Sequence, residues 1–322
     1  MADSTRYALL LKSGHVIDPL NDIDSKMDVA ISGDKIARVE PDIDPKLSTR
    51  VVDVSGFYVT PGLIDIHVHV YHTREPEGLS VMADSHSFRS GVTTMVDTGT
   101  SGARNFLHFK RTVIDLARTR IFAYVNIVDL GMIGDFEQDV RTMDPELAAS
   151  VAMAYPDVCV GVKTAHYWTR LPWDAEHPPW AAVDRAIEAG NICRKPVMVD
   201  FWPRPPERSY QDLILEKMRP GDIHTHVYAQ QFPILDESGK PNSFLHTARK
   251  RGVIFDVGHG AGSFWFRNAV PAMEQGFGPE SISTDLHTGN VHGVVVDMQT
   301  TMNKILNIGM PLQEVIMRST VT

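Results

Sequence analysis

Two histidines stand two residues apart in the stretch Val59–Tyr71, which reads VTPGLIDIHVHVY. The apolar residues around them, many of them β-branched, predict a strand that begins after a Pro-Gly turn. Alternate side chains of a strand share a face, so Asp65, His67 and His69 should point together. Two imidazoles on one face can bind a single metal ion. The alternative is a half-buried strand with solvent-facing polar residues, but such a strand seldom places His twice beside an apolar face.

From residue 59 onward, strand-like runs alternate with helix-like runs, which is the pattern of βα units around a parallel sheet. Eight strands are predicted, at Leu63–Val70, Thr93–Asp97, Ile121–Ile127, Val158–Lys163, Pro196–Asp200, Ile223–Tyr228, Val253–Val257 and Ser281–Leu286. The clearest predicted helices are Phe106–Arg118, Pro145–Tyr155, Trp180–Asn191, Tyr210–Met218, Asn242–Arg251 and Val270–Gln275. Eight such units in about 260 residues match the size of a (β/α)8 TIM barrel. The fold class predicted is therefore α/β.

Chemistry in such a barrel takes place at the carboxyl ends of the strands. The polar residues at these ends are His67, His69, Asp97, Lys163, Asp200, His224, His226, Asp256, His259, Asp285 and His287. A single His at a strand end is more often a hydrogen-bonded structural residue than a ligand. Metal-ligand types at the same end of most strands nevertheless predict a metal centre.

The first 58 residues predict a different structure, because short apolar runs alternate there with turn signals. Strands are expected at Tyr7–Leu11, Val16–Ile17, Met27–Ile31, Lys35–Val39 and Val51–Val54. We therefore expect a small β-domain over residues 1–58, followed by the barrel over residues 59–322.

The segments PGLIDIHVHV, GVKT, RPGDIHTHVY, FDVGHGAGSF and SISTDLHTG follow one another along the chain. Together they resemble the amidohydrolase superfamily, in its deacetylase or dihydroorotase-like branch, over nearly the whole barrel. The resemblance implies a metal-dependent hydrolase barrel. It also implies that residues 1–58 form half of a β-sandwich, whose completing strands follow the barrel in the family and are expected to be absent from this chain.

The resemblance further implies two divalent metal ions, with Zn²⁺ the expected metal. His67, His69 and Asp285 would hold the more buried ion, and His226 the second. Lys163 would bridge both as a carbamate formed with CO2; the alternative for Lys163 is an unmodified side chain that extends from a strand end. The family places a His where this chain has Asp200, and a carboxylate is also a possible ligand. If Asp200 does not bind metal, the second site is weak or empty.

Several further roles are predicted around this centre. Asp285 would shuttle protons as a general base and acid. His259 would stabilise the oxyanion or bind substrate, unless it is only a residue of a flexible turn. Arg204 would hold a substrate carboxylate, unless its proline-rich segment is a stiff surface loop. His287 is also predicted to bind substrate, and His224 to support the metal ligands.

The predicted function is hydrolysis of an amide bond in a small N-acyl compound, in the manner of a deacetylase, by a metal-activated hydroxide. One alternative is a cyclic amidase of the dihydroorotase type, which substrate profiling would distinguish. Another is a catalytically impaired binding or scaffold relative, which should purify with little metal.

The chain has 322 residues, of which 43% are hydrophobic and 22% charged, an ordinary composition for one large domain with an accessory part. Its net charge of −9 gives no support for a nucleic-acid partner. The two cysteines lack motif spacing, and the N-terminus shows neither a signal peptide nor a membrane span. We expect a cytoplasmic enzyme with a small-molecule substrate and no membrane partner, and the resemblance implies a homo-oligomer.

Overall fold

A computed structural model describes residues 7–73, 79–167 and 173–321. The described residues form two compact units. One unit contains the residues up to Leu63 together with those from Pro311 onward, and the other runs from Ile64 to Met310. The division of the chain into domains at residues 58 and 59 stays a prediction.

The first unit is built on a five-stranded sheet. Its strands are β1 (Leu9–Asp18), β2 (Ile23–Ser32), β3 (Lys35–Glu40), β4 (Val51–Asp53) and β5 (Tyr58–Val59). The strand order is β3-β2-β1-β4, with β5 also paired to β1. β2 runs antiparallel to both β1 and β3, whereas β4 and β5 run parallel to β1. Leu10, Ala30 and Ile43 form a small core beside this sheet. The sandwich predicted from the resemblance stays a prediction.

The second unit is built on a seven-stranded sheet whose strands pair in chain order. They are β6 (Leu63–Val68), β7 (Val92–Gly102), β8 (Arg120–Asn126), β9 (Cys159–Lys163), β10 (Val197–Val199), β11 (Ile223–His224) and β12 (Ile254–Phe255). The pairs from β7 to β12 are all parallel. The parallel α/β sheet predicted from the alternating pattern is therefore confirmed.

The sheet curls, because side chains from its first and last strands reach one cluster. Val96, Tyr124, Met198 and Ile223 are buried there, with Ile66 of β6 and Ile254 of β12 packed against them. This curling brings the carboxyl ends of distant strands to a common region.

The eighth predicted strand, Ser281–Leu286, is not a regular strand in the structure. It forms one parallel bridge to each edge of the sheet, Val68 with Leu286 and Asp256 with Ser281. Hydrogen bonds accompany both bridges, including Asp285 N to the His67 carbonyl at 2.7 Å. The positive φ of 52° at Asp285 takes the backbone out of the extended conformation, so a longer ladder cannot form.

Helices separate most of the strands, as the sequence predicts. The α-helices are Ala83–His86, Phe106–Phe109, Pro145–Ala154, Ala181–Cys193, Tyr210–Asp212, Ser243–Lys250, Phe266–Glu274, Met298–Asn307 and Leu312–Met317. Two continue as π-helical turns, Lys110–Ile114 and Leu213–Lys217. Short 3-10 helices are Pro45–Leu47, Phe88–Ser90, Gly134–Gln138 and Val140–Thr142. Within residues 7–73, 79–167 and 173–321, no helix could cross a membrane.

Candidate metal centre and active site

His67, His69 and Asp285 meet where β6 ends. Asp285 Oδ1 lies 3.4 Å from His67 Nε2 and 3.1 Å from His69 Nε2. Among the described residues, this is the group of three His, Cys or carboxylate ligand atoms that all lie within 4.8 Å of one another. Two imidazole nitrogens and a carboxylate oxygen at this spacing suit Zn²⁺ or a similar divalent ion.

The backbone of Asp285 has a strained conformation, in which its carboxylate lies against His67 and His69. Its φ of 52° is left-handed, a conformation that Asp adopts more readily than most residues. Gly260 lies against it, and a Cβ on Gly260 would come within 2.7 Å of Asp285 Oδ2. The glycine therefore leaves room for the carboxylate.

Each histidine of this group is oriented by a threonine. Thr225 accepts a hydrogen bond from His67 Nδ1 at 2.7 Å and donates its own proton to Asp256 at 2.8 Å. His69 Nδ1 lies 2.7 Å from Thr100 Oγ1, and the Thr100 amide donates to Asp97. A proton fixed on Nδ1 leaves the Nε2 lone pair free to bind a metal ion. Thr100 and Thr225 are site residues that the sequence analysis missed.

Lys163, Asp200 and His226 form a second group at the ends of β9, β10 and β11. Asp200 Oδ2 lies 3.3 Å from His226 Nε2 and 3.8 Å from Lys163 Nζ. Gly99, with φ of 78°, leaves room for the Lys163 side chain, because a Cβ on Gly99 would come within 2.7 Å of Lys163 Cβ. The structure thus brings together the six predicted metal ligands in two adjoining groups; their role as ligands stays a prediction.

A further histidine, His166, contacts this second group and was missed by the sequence analysis. Its Nε2 donates a short hydrogen bond to Asp200 Oδ2, although its side chain is half exposed. Only its position three residues beyond Lys163 could have indicated it.

Charges in the centre keep its carboxylates ionised. Burial alone would raise the pKa of Asp285, but hydrogen bonding to His69 and the charge on His226 lower it below its ordinary value. Burial opposes ionisation of Asp200 too, yet His166, His226 and Lys163 lower its pKa well below 3.8. Burial lowers the pKa of His67 to about 4, so this imidazole is neutral and able to bind metal near pH 7.

A cavity of about 370 Å³ opens beside both groups. Asp200, His226, Asp285 and His287 line it on the side of the metal centre. Its other walls are largely apolar or aromatic, including Ala165, Tyr167, Pro179, Ala182, Val183 and Phe201. A smaller cavity of about 100 Å³ lies among the six predicted ligands, with His166 and His287 in its wall. A small substrate can therefore reach the ligands.

Of the predicted substrate-binding residues, His287 lines the larger cavity and Arg204 does not. His287 lines both cavities, and its Nδ1 accepts from the Gly289 amide at 3.0 Å. The larger cavity is lined by Arg208, which is buried, whereas Arg204 pairs with Arg208 through the backbone and is not part of that wall. The predicted substrate roles of His287 and Arg204 stay predictions.

His259 belongs to the loop that follows β12, and its side chain is buried. Its Nε2 accepts from Lys304 Nζ at 2.9 Å, and its ring stacks on Phe264. Burial lowers its pKa to about 4, so it is neutral. It is absent from the walls of both cavities, and its catalytic and substrate-binding roles stay predictions.

His224 makes no hydrogen bond to the predicted ligands among the described residues, contrary to the supporting role expected for it. Its ring packs among Tyr210, Phe232 and Phe255, and neither ring nitrogen has a hydrogen-bond partner among the described residues. The strand stops being regular after His224, and His226 adopts a φ of 60°. Residues 224 and 226 therefore no longer share a face.

Comparison with known proteins gives the family. The chain is 32% identical over 321 residues to a deacetylase of Enterococcus faecalis, across 98% of this chain and 82% of that protein. This chain belongs to the amidohydrolase superfamily. Its structure is similar to that of an adenine deaminase, with a TM-score of 0.85 and 31% identity over 97% of this chain and 82% of the other. A solved dihydroorotase gives a TM-score of 0.79 and 28% identity, over 97% and 82% of the two chains.

No protein-family model matches the chain. The relatives nevertheless confirm the family that the sequence motifs indicate. As an amidohydrolase, the protein is an enzyme that hydrolyses carbon–nitrogen bonds other than peptide bonds, as the sequence predicts.

Proposed function

We propose that this amidohydrolase is a metal-dependent deacetylase, which hydrolyses the amide bond of a small N-acyl compound such as an N-acetylated amino acid. The observation that carries the proposal is the group of His67, His69 and Asp285, with Asp285 also lining the larger cavity. The Enterococcus faecalis relative, named a deacetylase, supports this choice of bond.

The proposed centre holds two divalent ions, with Zn²⁺ as the expected metal. His67, His69 and Asp285 would hold one ion and Asp200 with His226 the other, with Lys163 bridging them as a carbamate. Two imidazoles and a carboxylate at 3.1 and 3.4 Å fit the first position. Bound there, the metal would polarise the scissile carbonyl and lower the pKa of a water towards about 7.

The chain's own residues would move the protons and hold the substrate. Asp285 is kept ionised by the His69 hydrogen bond and the charge on His226, so its carboxylate can take a proton from the attacking water and return it to the leaving amine. His287 would donate from Nε2 to the substrate oxygen, since its Nδ1 accepts from Gly289. The apolar walls of the larger cavity would hold the remainder of the substrate.

The proposed function is accompanied by a proposed domain organisation. We propose that residues 281–286 close the curled sheet into an eight-stranded barrel, with residues 59–322 as the hydrolase domain. Residues 1–58 would be half of a β-sandwich. A cytoplasmic location and a homo-oligomeric state remain predictions.

A cyclic amidase is the second candidate, favoured by the similarity to a solved dihydroorotase. The two candidates can be tested together by offering Zn²⁺-loaded protein a panel of N-acetyl amino acids and a panel of cyclic amides and imides. We expect acetate release from the first panel and no such release by Asp285→Asn. Ring opening without acetate release would replace the deacetylase by the cyclic amidase, and inactivity on both panels would contradict C–N hydrolysis of these classes.

A further inference from the structure

Three nitrogen groups converge on one oxygen of Asp200, and one of them is outside the proposed ligand set. His226 Nε2 and Lys163 Nζ lie 3.3 and 3.8 Å from Oδ2, and His166 Nε2 hydrogen-bonds to the same atom. We propose that His166 is a positioning residue for Asp200, and that the two side chains act as one unit at the second metal position. This inference rests on the two-metal centre of the proposed function.

His166 is held at both sides of its backbone. Its amide donates to Glu137 Oε1 at 3.3 Å, and its carbonyl accepts from Gln138 Nε2 at 2.7 Å. Glu137 Oε2 also lies 4.0 Å from His166 Nδ1. These contacts hold the imidazole so that Nε2 faces Asp200.

The backbone of Asp200 is fixed independently of its side chain. Its amide donates to Thr164 Oγ1 at 3.0 Å, and the Thr164 hydroxyl donates to its carbonyl at 2.9 Å. The carboxylate itself can still rotate, because a torsion that ends in a planar group has broad minima. A bond from His166 therefore selects among the orientations that the carboxylate could otherwise adopt.

The orientation matters because Asp200 has two competing partners. Without the bond from His166, the carboxylate could turn further towards Lys163 Nζ, which already lies 3.8 Å from Oδ2, and a closer ion pair would hold back the amine that must become the bridging ligand. Hydrogen-bonded by His166, it keeps Oδ2 near His226, where the two can share a metal ion. Removing such an outer hydrogen bond typically weakens metal binding about 10- to 100-fold.

His166 does not have to bind the metal for this role. Its Nε2 hydrogen-bonds to Asp200 Oδ2, and this contact is sufficient to orient the carboxylate. A hydrogen-bonding role predicts that an amide side chain can replace the imidazole. It also predicts that the need for His166 disappears when residue 200 is no longer a carboxylate.

The test measures Zn²⁺ binding by equilibrium dialysis with elemental analysis, on wild type and on His166→Ala, His166→Gln, Asp200→His and the double variant Asp200→His/His166→Ala. We expect the second ion to bind 10- to 100-fold more weakly to His166→Ala, with the first ion unaffected. His166→Gln should restore most of the affinity. Asp200→His and the double variant should bind the second ion equally within threefold.

His177→Ala is the matched control, since His177 also hydrogen-bonds an aspartate, Asp174, at 2.8 Å, but outside the metal centre. It should bind two ions as wild type does. Circular dichroism on every variant establishes that the fold is retained.

Unchanged affinity for the second ion in His166→Ala would overturn the inference. An equal loss of affinity on His166→Ala in the Asp200→His background would also overturn it, because His166 would then act only on its own loop. Binding of a single ion by wild type would overturn it too. By contrast, wild type could bind two ions, and His166→Ala could weaken the second as expected, while no amide is hydrolysed. This result would contradict the proposed function but would support the action of His166 on Asp200.

Discussion

Thr225 is the residue through which a buried carboxylate acts on His67, a predicted metal ligand. Its hydroxyl connects His67 to Asp256, and Asp256 also accepts from Ser281 and Ser283. The carboxylate remains hydrogen-bonded when the Thr225 hydroxyl is removed, whereas His67 Nδ1 loses its acceptor. Thr225 can therefore be changed without leaving Asp256 unpaired.

We predict that Thr225→Val binds the first Zn²⁺ about 10- to 100-fold more weakly than wild type, because Nε2 of His67 is no longer oriented. Thr225→Ser retains the hydroxyl and should bind nearly as wild type does. Thr98→Val is the control, because Thr98 is equally buried but, among the described residues, its hydroxyl donates only to the Val68 carbonyl at 3.4 Å. Equal loss in Thr225→Ser and Thr225→Val would show that the hydroxyl is not responsible.

At the level of residues, the sequence indicates which side chains converge on the candidate metal site better than it indicates their hydrogen-bond partners. His67 and His69 are evident because regular strand periodicity places them on one face. His166 lies beyond the end of β9 in irregular backbone, where no periodicity applies. The choice between Arg204 and Arg208 depends on how a proline-rich loop folds, which side-chain types do not determine.

The carboxyl end of β7 is the element that makes space for Lys163. Gly99 has φ of 78° and faces the Lys163 stem. Gly239 has the same φ of 78°, but nothing lies within 4 Å of a Cβ built on it. A substitution at either glycine would strain the backbone, but only one at Gly99 would also crowd a neighbouring side chain.

We predict that Gly99→Ala destabilises the protein by about 1–3 kcal/mol more than Gly239→Ala, because only the first adds crowding to the strain. Thermal unfolding of the two variants beside wild type measures this difference. Equal melting temperatures for the two variants would mean that Lys163 moves aside at little cost.

At the level of elements, strand positions were predictable where β-branched and aromatic residues are frequent, as in Val92–Gly102 and Arg120–Asn126. The later strands are much shorter than predicted, and β11 ends at His224. Left-handed backbone at His226 and Asp285 interrupts the extended conformation there. Side-chain patterns do not reveal such strain, which is set by the geometry that the site requires.

At the level of the whole molecule, Asp65 joins β6, the first strand of the second unit, to residues 281–286. Its carboxylate accepts from the Thr284 amide at 3.0 Å and the Thr284 hydroxyl at 2.6 Å. Burial raises the pKa of Asp65 to about 7, although the Thr284 hydrogen bonds oppose this shift. The folded protein therefore binds this proton more tightly than the unfolded chain.

The sign of the pH dependence follows from the raised pKa. The contribution of Asp65 to stability should be full below pH 4 and decline as the pH rises towards 7. We predict that wild type loses stability relative to Asp65→Asn between pH 4.5 and pH 7.5, measured by denaturant unfolding of metal-free protein. A difference between the two proteins that is constant with pH would contradict the raised pKa.

The dependence of hydrolysis on metal tests the central claim most directly. Metal-free protein would be titrated with Zn²⁺ in the presence of bicarbonate, and acetate release from an N-acetyl amino acid that wild type accepts would be followed. We predict no release without metal and a rate that rises to a plateau at about two ions per chain. Full hydrolysis by the metal-free protein, or a plateau at one ion, would contradict a two-metal deacetylase centre.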